Sequence, residues 1–190
     1  MKNLKQKAKE NSVSLILQTA LELMSAKGFD SVSMRDIGRS ANISPGLIYN
    51  YFESKDDLLR SIFLQGKQEI IQSFQFEKNE IPIIEFENYL NQTFGLIKQN
   101  TRFWKLFHSI RNQEQLMSIV SKETEELTQV IFTNLDGLLS RLNLSGKLSV
   151  LTLFAMLDGA IAHYILLPNY PIDQVKYEIL EIIKGMQNGK

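Results

Sequence analysis

Apolar residues recur every three or four positions along most of the chain, which is the spacing of one face of an α-helix. The first apolar stripe ends at Met24 and predicts a helix from about residue 11 to residue 27, which Gly28 closes. No segment shows the strict alternation of polar and apolar residues that marks a half-buried strand. The chain is therefore predicted to be all-α.

Two short helices joined by a tight turn are predicted early in the chain. Ser33 is followed three positions later by Asp36, which is the pattern of a capping box at the start of a helix. Asn42 tolerates a positive φ and can end that helix. Ser44 and Pro45 then provide a second start, because proline lacks an N–H that the first helical turn does not use. This arrangement has the geometry of a helix-turn-helix, whose second helix enters the major groove of DNA. Helical pairs joined by a polar turn are also common in proteins that do not bind DNA, which is the alternative for the pattern alone.

Helical spacing continues through the rest of the chain. A fourth helix is predicted from residue 55 to about residue 74, and the polar segment 75–82 is predicted to be a loop that ends in proline. No linker rich in proline, glycine or serine interrupts the fourth helix, so it is expected to connect two domains. Further helices, which bring the predicted number to about nine, are expected near residues 83–98, 102–112, 118–142, 146–167 and 172–186.

The longest apolar segment, residues 148–167, approaches the length of a membrane span. Asp158 lies near its centre, where a carboxylate in lipid would cost about 2.5–3.5 kcal/mol. His163 adds to that cost, and no basic cluster flanks the segment closely. We therefore interpret the segment as a buried helix of a globular protein and predict no membrane partner.

Composition places the chain among ordinary globular proteins. It has 190 residues, of which 44% are hydrophobic, and a formal net charge of zero. The absence of cysteine excludes disulfides and thiolate sites. The sequence contains no glycine-rich phosphate loop, no nucleophile elbow and no metal-ligand spacing, so no enzyme, catalytic residue, metal or cofactor is predicted. No apolar segment of signal-peptide length lies at the N-terminus, and a cytoplasmic location is expected.

The predicted helix-turn-helix resembles the DNA-binding domain of the TetR family of bacterial transcription regulators. The family signature is an alanine-glycine-valine-serine-x-glycine turn, then tyrosine, x, x-phenylalanine, and a lysine that opens the next helix. It corresponds here to ANISPG at 41–46, YNYF at 49–52 and Lys55. Two positions depart from the family, which usually has alanine at the place of Gly38 and glycine at the place of Asn42. The resemblance covers about the first third of the chain.

The resemblance implies a role on double-stranded DNA for each matched residue. Gly46 has no side chain, so the second helix can approach the duplex closely at its start. Phosphate contacts set affinity and register, whereas contacts to base edges carry sequence information. The predicted phosphate ligands are Ser33, Tyr49 and Lys55, and the predicted base-edge residues are Arg35, Ser44, Leu47, Asn50 and Tyr51, with Pro45 in the same helical turn.

The last two predicted helices have apolar faces that suit a helix–helix interface. Ala155, Gly159 and Ala162 form a row of small residues that lets another helix approach closely. The resemblance implies that these two helices form a four-helix interface with a second subunit, whereas burial against the chain's own domain is the alternative. The predicted dimer residues are Leu151, Ala155, Gly159, Ala162, Val175, Ile179 and Ile182.

The resemblance also implies a small-molecule pocket inside the C-terminal helical bundle. Aromatic residues at helical spacing are more often plain core, which is the alternative for each candidate. Trp104 and His108 lie one turn apart, and each carries a polar atom that needs a partner if it is buried. Asp158 would bind a cationic ligand, cap a buried network or face the partner subunit. The candidate pocket residues are Phe94, Phe103, Trp104, Phe107, His108, Phe132, Phe154, Asp158 and Tyr164.

These observations predict a two-domain regulator with a DNA-binding domain at residues 1–54 and a regulatory and dimerisation domain at residues 55–190. The expected protein is a homodimeric repressor that binds a palindromic operator and is released by a small apolar or amphipathic effector. A C-terminal domain that binds a protein partner in place of a small ligand is the alternative.

Overall fold

The computed structural model describes residues 2–73 and 81–189, and side chains are described for residues 6–72 and 81–189. Within these residues the chain forms ten α-helices and no strand, which confirms the all-α prediction. The helices are α1 (Lys2–Lys27), α2 (Met34–Ala41), α3 (Pro45–Tyr49), α4 (Lys55–Ser73), α5 (Pro82–Gln99), α6 (Thr101–Ile110), α7 (Glu114–Ile119), α8 (Ser121–Arg141), α9 (Val150–Leu166) and α10 (Ile172–Gln187).

The predicted helices differ from the observed ones most clearly in three places. α1 begins at Lys2, well before the predicted start. α7 was not predicted, because it has six residues, no side-chain cap and a single buried side chain, Leu116. α9 begins at Val150 after the Ser149 cap, where the pattern predicted a start at Gly146. The predicted end of the fourth helix at Phe74 and most of the predicted loop 75–82 lie outside the described residues.

The chain divides into two compact units, which are described separately. The N-terminal unit comprises Met1–Gly66 and Arg102–Glu123, and the C-terminal unit comprises Lys67–Thr101 and Thr124–Lys190. α4 therefore contributes residues to both units, and α7 and all of α6 after Thr101 belong to the N-terminal one. The functional boundary after residue 54 stays a prediction.

The core of the N-terminal unit explains why α2 and α3 keep their positions. The apolar stripe of α1 is fully buried at Ile16, Ala20 and Met24, and α1 packs on α2. Ile37 of α2 and Ile48 of α3 are also completely buried. Burial of each such side chain contributes about 1.5–3 kcal/mol. The two short helices are therefore stabilised by the core, since helices of eight and five residues are marginal in isolation.

The C-terminal unit is built on a core shared by α5, α8, α9 and α10. Its fully buried side chains include Phe86, Phe94, Leu135, Leu153 and Ile183. None of the described helices is both long enough and apolar enough to span a membrane.

Two ion pairs tie helices of the C-terminal unit together. Lys98 of α5 donates to the carboxylate of Asp173 on α10 at 2.6 Å, and this hydrogen bond lowers the pKa of Asp173. The side chains of Lys98 and Asp173 are 39% and 68% exposed, so solvent screens the pair and it contributes little stability. Arg141 of α8 pairs with Glu85 of α5, and that carboxylate is buried.

Candidate nucleic-acid interface

A capping box sets the start of α2. The Ser33 hydroxyl donates to Asp36 Oδ2 at 2.5 Å, and the Asp36 N–H donates back to Ser33 Oγ at 3.1 Å. The Ser33 N–H also donates to the carboxylate. The hydrogen bond from the Ser33 hydroxyl lowers the pKa of the Asp36 carboxyl. The cap's contribution to stability is therefore complete above the ordinary carboxyl pKa and lost as pH falls through the lowered one.

The turn between α2 and α3 depends on two residues that depart from the family pattern. Asn42 has φ 55° and ends α2 in the left-handed region, as predicted. The Ile43 N–H then donates to the Gly38 carbonyl at 2.9 Å. A Cβ on Gly38 would lie 2.8 Å from the Ile43 carbonyl oxygen, so the turn closes tightly against this glycine. Glycine at position 38 is therefore explained by packing.

One side of α3 packs on the core of the N-terminal unit, and another side is exposed. The Leu47 N–H donates to Ser44 Oγ at 3.3 Å, which caps the helix start, and Pro45 occupies its first turn. Ile48 is completely buried and fixes the helix on the core. Tyr49, by contrast, is 55% exposed despite its large aromatic ring. This short helix therefore has one side buried in the core and another side exposed.

Most residues predicted to contact DNA are exposed. Leu47 and Tyr51 are half-buried, and the Lys9 ammonium lies 5.9 Å from the Tyr51 ring centroid. The Ser33 hydroxyl has its only proton committed to Asp36, so toward a phosphate it offers no free donor. The predicted DNA-contacting residues that are exposed are Ser33, Arg35, Ser44, Pro45, Gly46, Tyr49 and Asn50.

Lys55 has a structural role that its position in the sequence did not reveal. Its ammonium donates to the carbonyls of Phe29 and Val32 at 2.9 and 3.0 Å. It also lies 4.1 Å from the centroid of the Phe29 ring, which is close enough for a cation–π contact. Two of its three donors are therefore used to hold the turn that precedes α2. The predicted phosphate contact stays a prediction and would use the remaining donor.

Lys55→Met is expected to destabilise the N-terminal unit by about 2 kcal/mol, because hydrogen bonds from a charged donor are worth about 1.5–3 kcal/mol. Methionine keeps most of the apolar stem and removes the ammonium. Urea unfolding followed by circular dichroism measures the loss. Lys105→Met, at an exposed position of α6, is the matched control and should change stability by less than 0.5 kcal/mol. Equal stability of Lys55→Met and Lys105→Met would contradict the structural role of Lys55.

The structure divides the candidate pocket residues between the two units. Phe103, Trp104, Phe107 and His108 follow one another along α6 in the N-terminal unit. Phe132 and Phe154 meet in the C-terminal unit with ring centroids 4.9 Å apart. The remaining candidates of the C-terminal unit are Phe94, which is a core residue, and the half-buried Asp158 and Tyr164.

A surface groove of about 410 Å³ lies in the N-terminal unit. None of the predicted pocket or DNA-contacting residues lines this groove. Its lining residues are Phe29, Asp30, Asp56, Gln113, Glu114, Gln115, Leu116, Ser118 and Ile119.

The apolar faces of α9 and α10 are partly exposed in a single chain. Leu151 is 64% exposed and Ile182 is 48% exposed. Leu166, which the pattern did not single out, is also exposed and falls at helical spacing on the face of Leu151. Ile179 is only 3% exposed and belongs to the core of its own unit, so it has little surface to offer a partner. The other predicted dimer residues are the exposed Ala155 and the half-buried Gly159, Ala162 and Val175.

Residues 16–62 match the family model described as "Bacterial regulatory proteins, tetR family". The chain is 39% identical over 75 residues to the HTH-type transcriptional regulator UidR of Escherichia coli K12, which is 40% of this chain and 37% of UidR. It is 43% identical over 44 residues to the HTH-type transcriptional regulator HbdR of Aromatoleum, which is 23% of this chain and 19% of HbdR. These matches therefore span little more than a third of UidR and about a fifth of HbdR.

Solved structures resemble the chain over nearly its whole length. The fatty acid degradation regulator FadR of Bacillus halodurans superposes with a TM-score of 0.72 at 17% identity, covering 92% of this chain and 95% of FadR. FadR of Bacillus subtilis, solved in complex with stearoyl-CoA, gives 0.72 at 19% identity and covers 90% and 96%. A TerR/AcrR-family regulator of Aquifex aeolicus gives 0.72 at 20% identity, covering 92% and 99%. Residues 16–62 are thus similar to the DNA-binding domain of the TetR family of bacterial regulators, and the chain shares the fold of these solved regulators.

Proposed function

We propose that the protein is a transcription regulator that binds double-stranded DNA through α2 and α3. The observation that carries this proposal is the two-sided character of α3, in which Ile48 is buried while Gly46, Tyr49 and Asn50 are exposed. An exposed short helix on a fixed support is what entry into a major groove requires. The Asn50 amide and the Arg35 guanidinium are suited to adenine and guanine edges, and each such pair is worth about 1–3 kcal/mol of discrimination.

We further propose that the protein works as a homodimer on a palindromic operator. The exposed apolar face that includes Leu151, Ala155 and Leu166 on α9, together with Ile182 on α10, supports this proposal. A Cβ on Gly159 would meet no atom within 4 Å, so there is open space at this position for a second helix. A two-fold dimer presents two recognition helices to two half-sites. We place this dimer in the bacterial cytoplasm, where it acts as a repressor.

The regulatory input in this proposal is a small apolar or amphipathic effector. FadR of Bacillus subtilis, which shares the fold, was solved with stearoyl-CoA, a molecule that combines a long apolar chain with a polar head. Fatty acyl-CoA esters and free fatty acids are therefore the first molecules to test for release of DNA. A protein partner that releases DNA without any small ligand would favour the alternative input.

Fluorescence anisotropy on duplexes tiled across the DNA that flanks the gene tests DNA binding directly. We expect one duplex to bind far more tightly than the others and to keep that preference at a higher salt concentration. Affinity from phosphate contacts falls steeply with salt and is the same for all sequences. Equal, salt-sensitive binding to every duplex would contradict operator recognition, and absence of binding would contradict the assignment of α2 and α3 to DNA.

Ala155→Arg is expected to weaken dimerisation more than a hundredfold, because two guanidinium groups would be buried without partners. Analytical ultracentrifugation of the free protein measures this change. Tight binding to the palindrome should be lost at the same time, while weak binding to a half-site remains. Tyr177→Arg is the matched control, because Tyr177 is exposed and lies opposite Ile182 on α10. If the Ala155→Arg protein is still dimeric, the exposed apolar face of α9 is not part of the dimer interface.

A further inference from the structure

The first helix extends beyond the core that it helps to build. α1 is completely buried at Ile16, whereas residues 6–11 are all exposed. Lys9 lies two helical turns before Ile16 and on the same side of the helix, because residues seven apart share a face. Lysines at positions 2 and 5 repeat this helical spacing. The face of α1 that is apolar inside the core therefore becomes basic outside it.

Lys9 lies beside the end of the helix that is proposed to enter DNA. Its ammonium is 5.9 Å from the centroid of the Tyr51 ring, which is within the range of a cation–π contact. Tyr51 directly follows Asn50, the residue that ends α3. α1 and α3 belong to the same compact unit, so this contact places the exposed turns of α1 next to α3.

In the described part of the chain, no carboxylate forms an ion pair with Lys9. The adjacent carboxylate, Glu10, instead accepts a hydrogen bond from Gln6 at 3.0 Å. The Tyr51 ring attracts the ammonium without accepting its protons, so the N–H donors of Lys9 are available to an anion. The chain as a whole has a net charge of zero, and its attraction for DNA therefore depends on local positive groups of this kind.

We propose that Lys9 binds a phosphate of the DNA backbone beside the base pairs that α3 contacts. This inference rests on the proposed DNA binding and adds a second surface to it. Lys9 precedes residues 16–62, which match the family model, so the contact lies outside the matched segment. A lysine ammonium binds phosphate oxygens as a point charge, so the contact adds affinity and fixes register without reading sequence.

Lys9→Gln is the variant that tests this contact, because glutamine removes the charge and has a similar helix propensity. We expect the affinity for the operator duplex to fall about fivefold to tenfold at 0.1 M salt. The slope of log affinity against log salt concentration should become shallower by about 0.9, because one phosphate fewer is neutralised. Fluorescence anisotropy over a series of salt concentrations measures both quantities, and Lys9→Arg should preserve both.

Lys7→Gln is the matched control. Lys7 is an exposed lysine of the same helix, and it lies on the side of α1 away from Lys9 because the two residues are two positions apart. The two variants therefore have the same net charge and differ in the face that has lost its lysine. Lys7→Gln should bind the operator with the affinity and salt slope of the unaltered protein. Circular dichroism checks that both variants are folded.

Replacement of single phosphates by neutral methylphosphonates identifies the DNA side of the contact. One position beside the bases contacted by α3 should weaken binding of the unaltered protein about fivefold to tenfold, as loss of the lysine does. The same replacement should have no further effect on Lys9→Gln, because the two changes remove the same interaction. Independent, additive losses at every phosphate would overturn the inference.

The salt series distinguishes failure of this inference from failure of the proposed function. Equal salt slopes for Lys9→Gln and the unaltered protein, or equal losses in Lys9→Gln and Lys7→Gln, would show that Lys9 is a solvated residue and overturn the inference. Operator binding by the unaltered protein would then still support the proposed function. Absence of DNA binding by the unaltered protein would contradict both.

Discussion

Gly46→Leu is expected to lower affinity for the operator more than a hundredfold while leaving the protein folded. A Cβ on Gly46 would meet no atom within 4 Å, and its φ is not in the left-handed region. The fold therefore has no need of glycine at this position, and leucine should favour the helix by up to about 1 kcal/mol. A side chain at the start of α3 would instead separate the helix from the base edges, each contact being worth about 1–3 kcal/mol.

Anisotropy with the operator duplex measures the affinity, and thermal unfolding by circular dichroism checks that the variant is folded. Gly137→Leu is the matched control, because Gly137 is an exposed glycine of α8 with the same free space around it. It should bind the operator as tightly as the unaltered protein. Normal operator binding by Gly46→Leu would mean that the start of α3 does not approach the duplex.

Arg141→Met is expected to destabilise the C-terminal unit by about 3 kcal/mol. Its partner Glu85 has a side chain that is 6% exposed, whereas the side chain of Arg141 is 34% exposed. Removal of one member of a buried ion pair costs about 3–5 kcal/mol, because a charge is left in a poorly solvated place. We take the lower end of that range because Arg141 is partly solvated. The melting temperature should fall by about 6–12 °C for a chain of this size.

A double-variant cycle tests whether the stability lost in Arg141→Met comes from burial of the Glu85 carboxylate without the Arg141 guanidinium. Glu85→Leu combined with Arg141→Met replaces both charges by apolar groups and should recover most of the stability, since such pairs are often no more stable than their apolar replacements. Differential scanning calorimetry of the single and double variants gives the coupling free energy. A double variant as unstable as the sum of the single ones would show that the two residues act independently.

The parts of the site that were predictable are those encoded by near neighbours in the chain. The capping box spans four consecutive residues, and both of its hydrogen bonds form as expected. The left-handed Asn42 and the first-turn Pro45 likewise follow from the backbone preferences of single residues. α7 was missed because six residues are too few for a period of 3.6 to be recognised.

Other features depend on residues that are distant in sequence. Lys55 donates to carbonyls 26 and 23 residues away, so its signature position at the start of α4 did not reveal that role. Glu85 and Arg141 meet across two helices, and no spacing rule connects them. The helical pattern gives no reason for a glycine at position 66. The reason is the Phe103 ring, which a Cβ on Gly66 would approach to 2.4 Å.

Ile179 shows the same limit on α10. It shares a stripe with Val175 and Ile182, and the helical period assigns all three to one apolar face. Burial separates them: Ile179 lies in the core of its unit and Ile182 is exposed. An apolar stripe predicts which residues are buried, but it does not predict which helix or subunit each of them packs against.

Local preferences and the helical period were thus sufficient to establish the all-α class, the turn between α2 and α3 and the resemblance to the TetR family, because each depends on residues within about one or two helical turns. The tertiary structure decided which of these residues are exposed and which of their hydrogen-bond donors are already used within the protein. It commits the Ser33 hydroxyl and two donors of Lys55 to the protein itself, and it leaves Gly46 and Tyr49 exposed. The physical reason is that burial and hydrogen-bond satisfaction depend on the packing of distant segments, which no local pattern specifies.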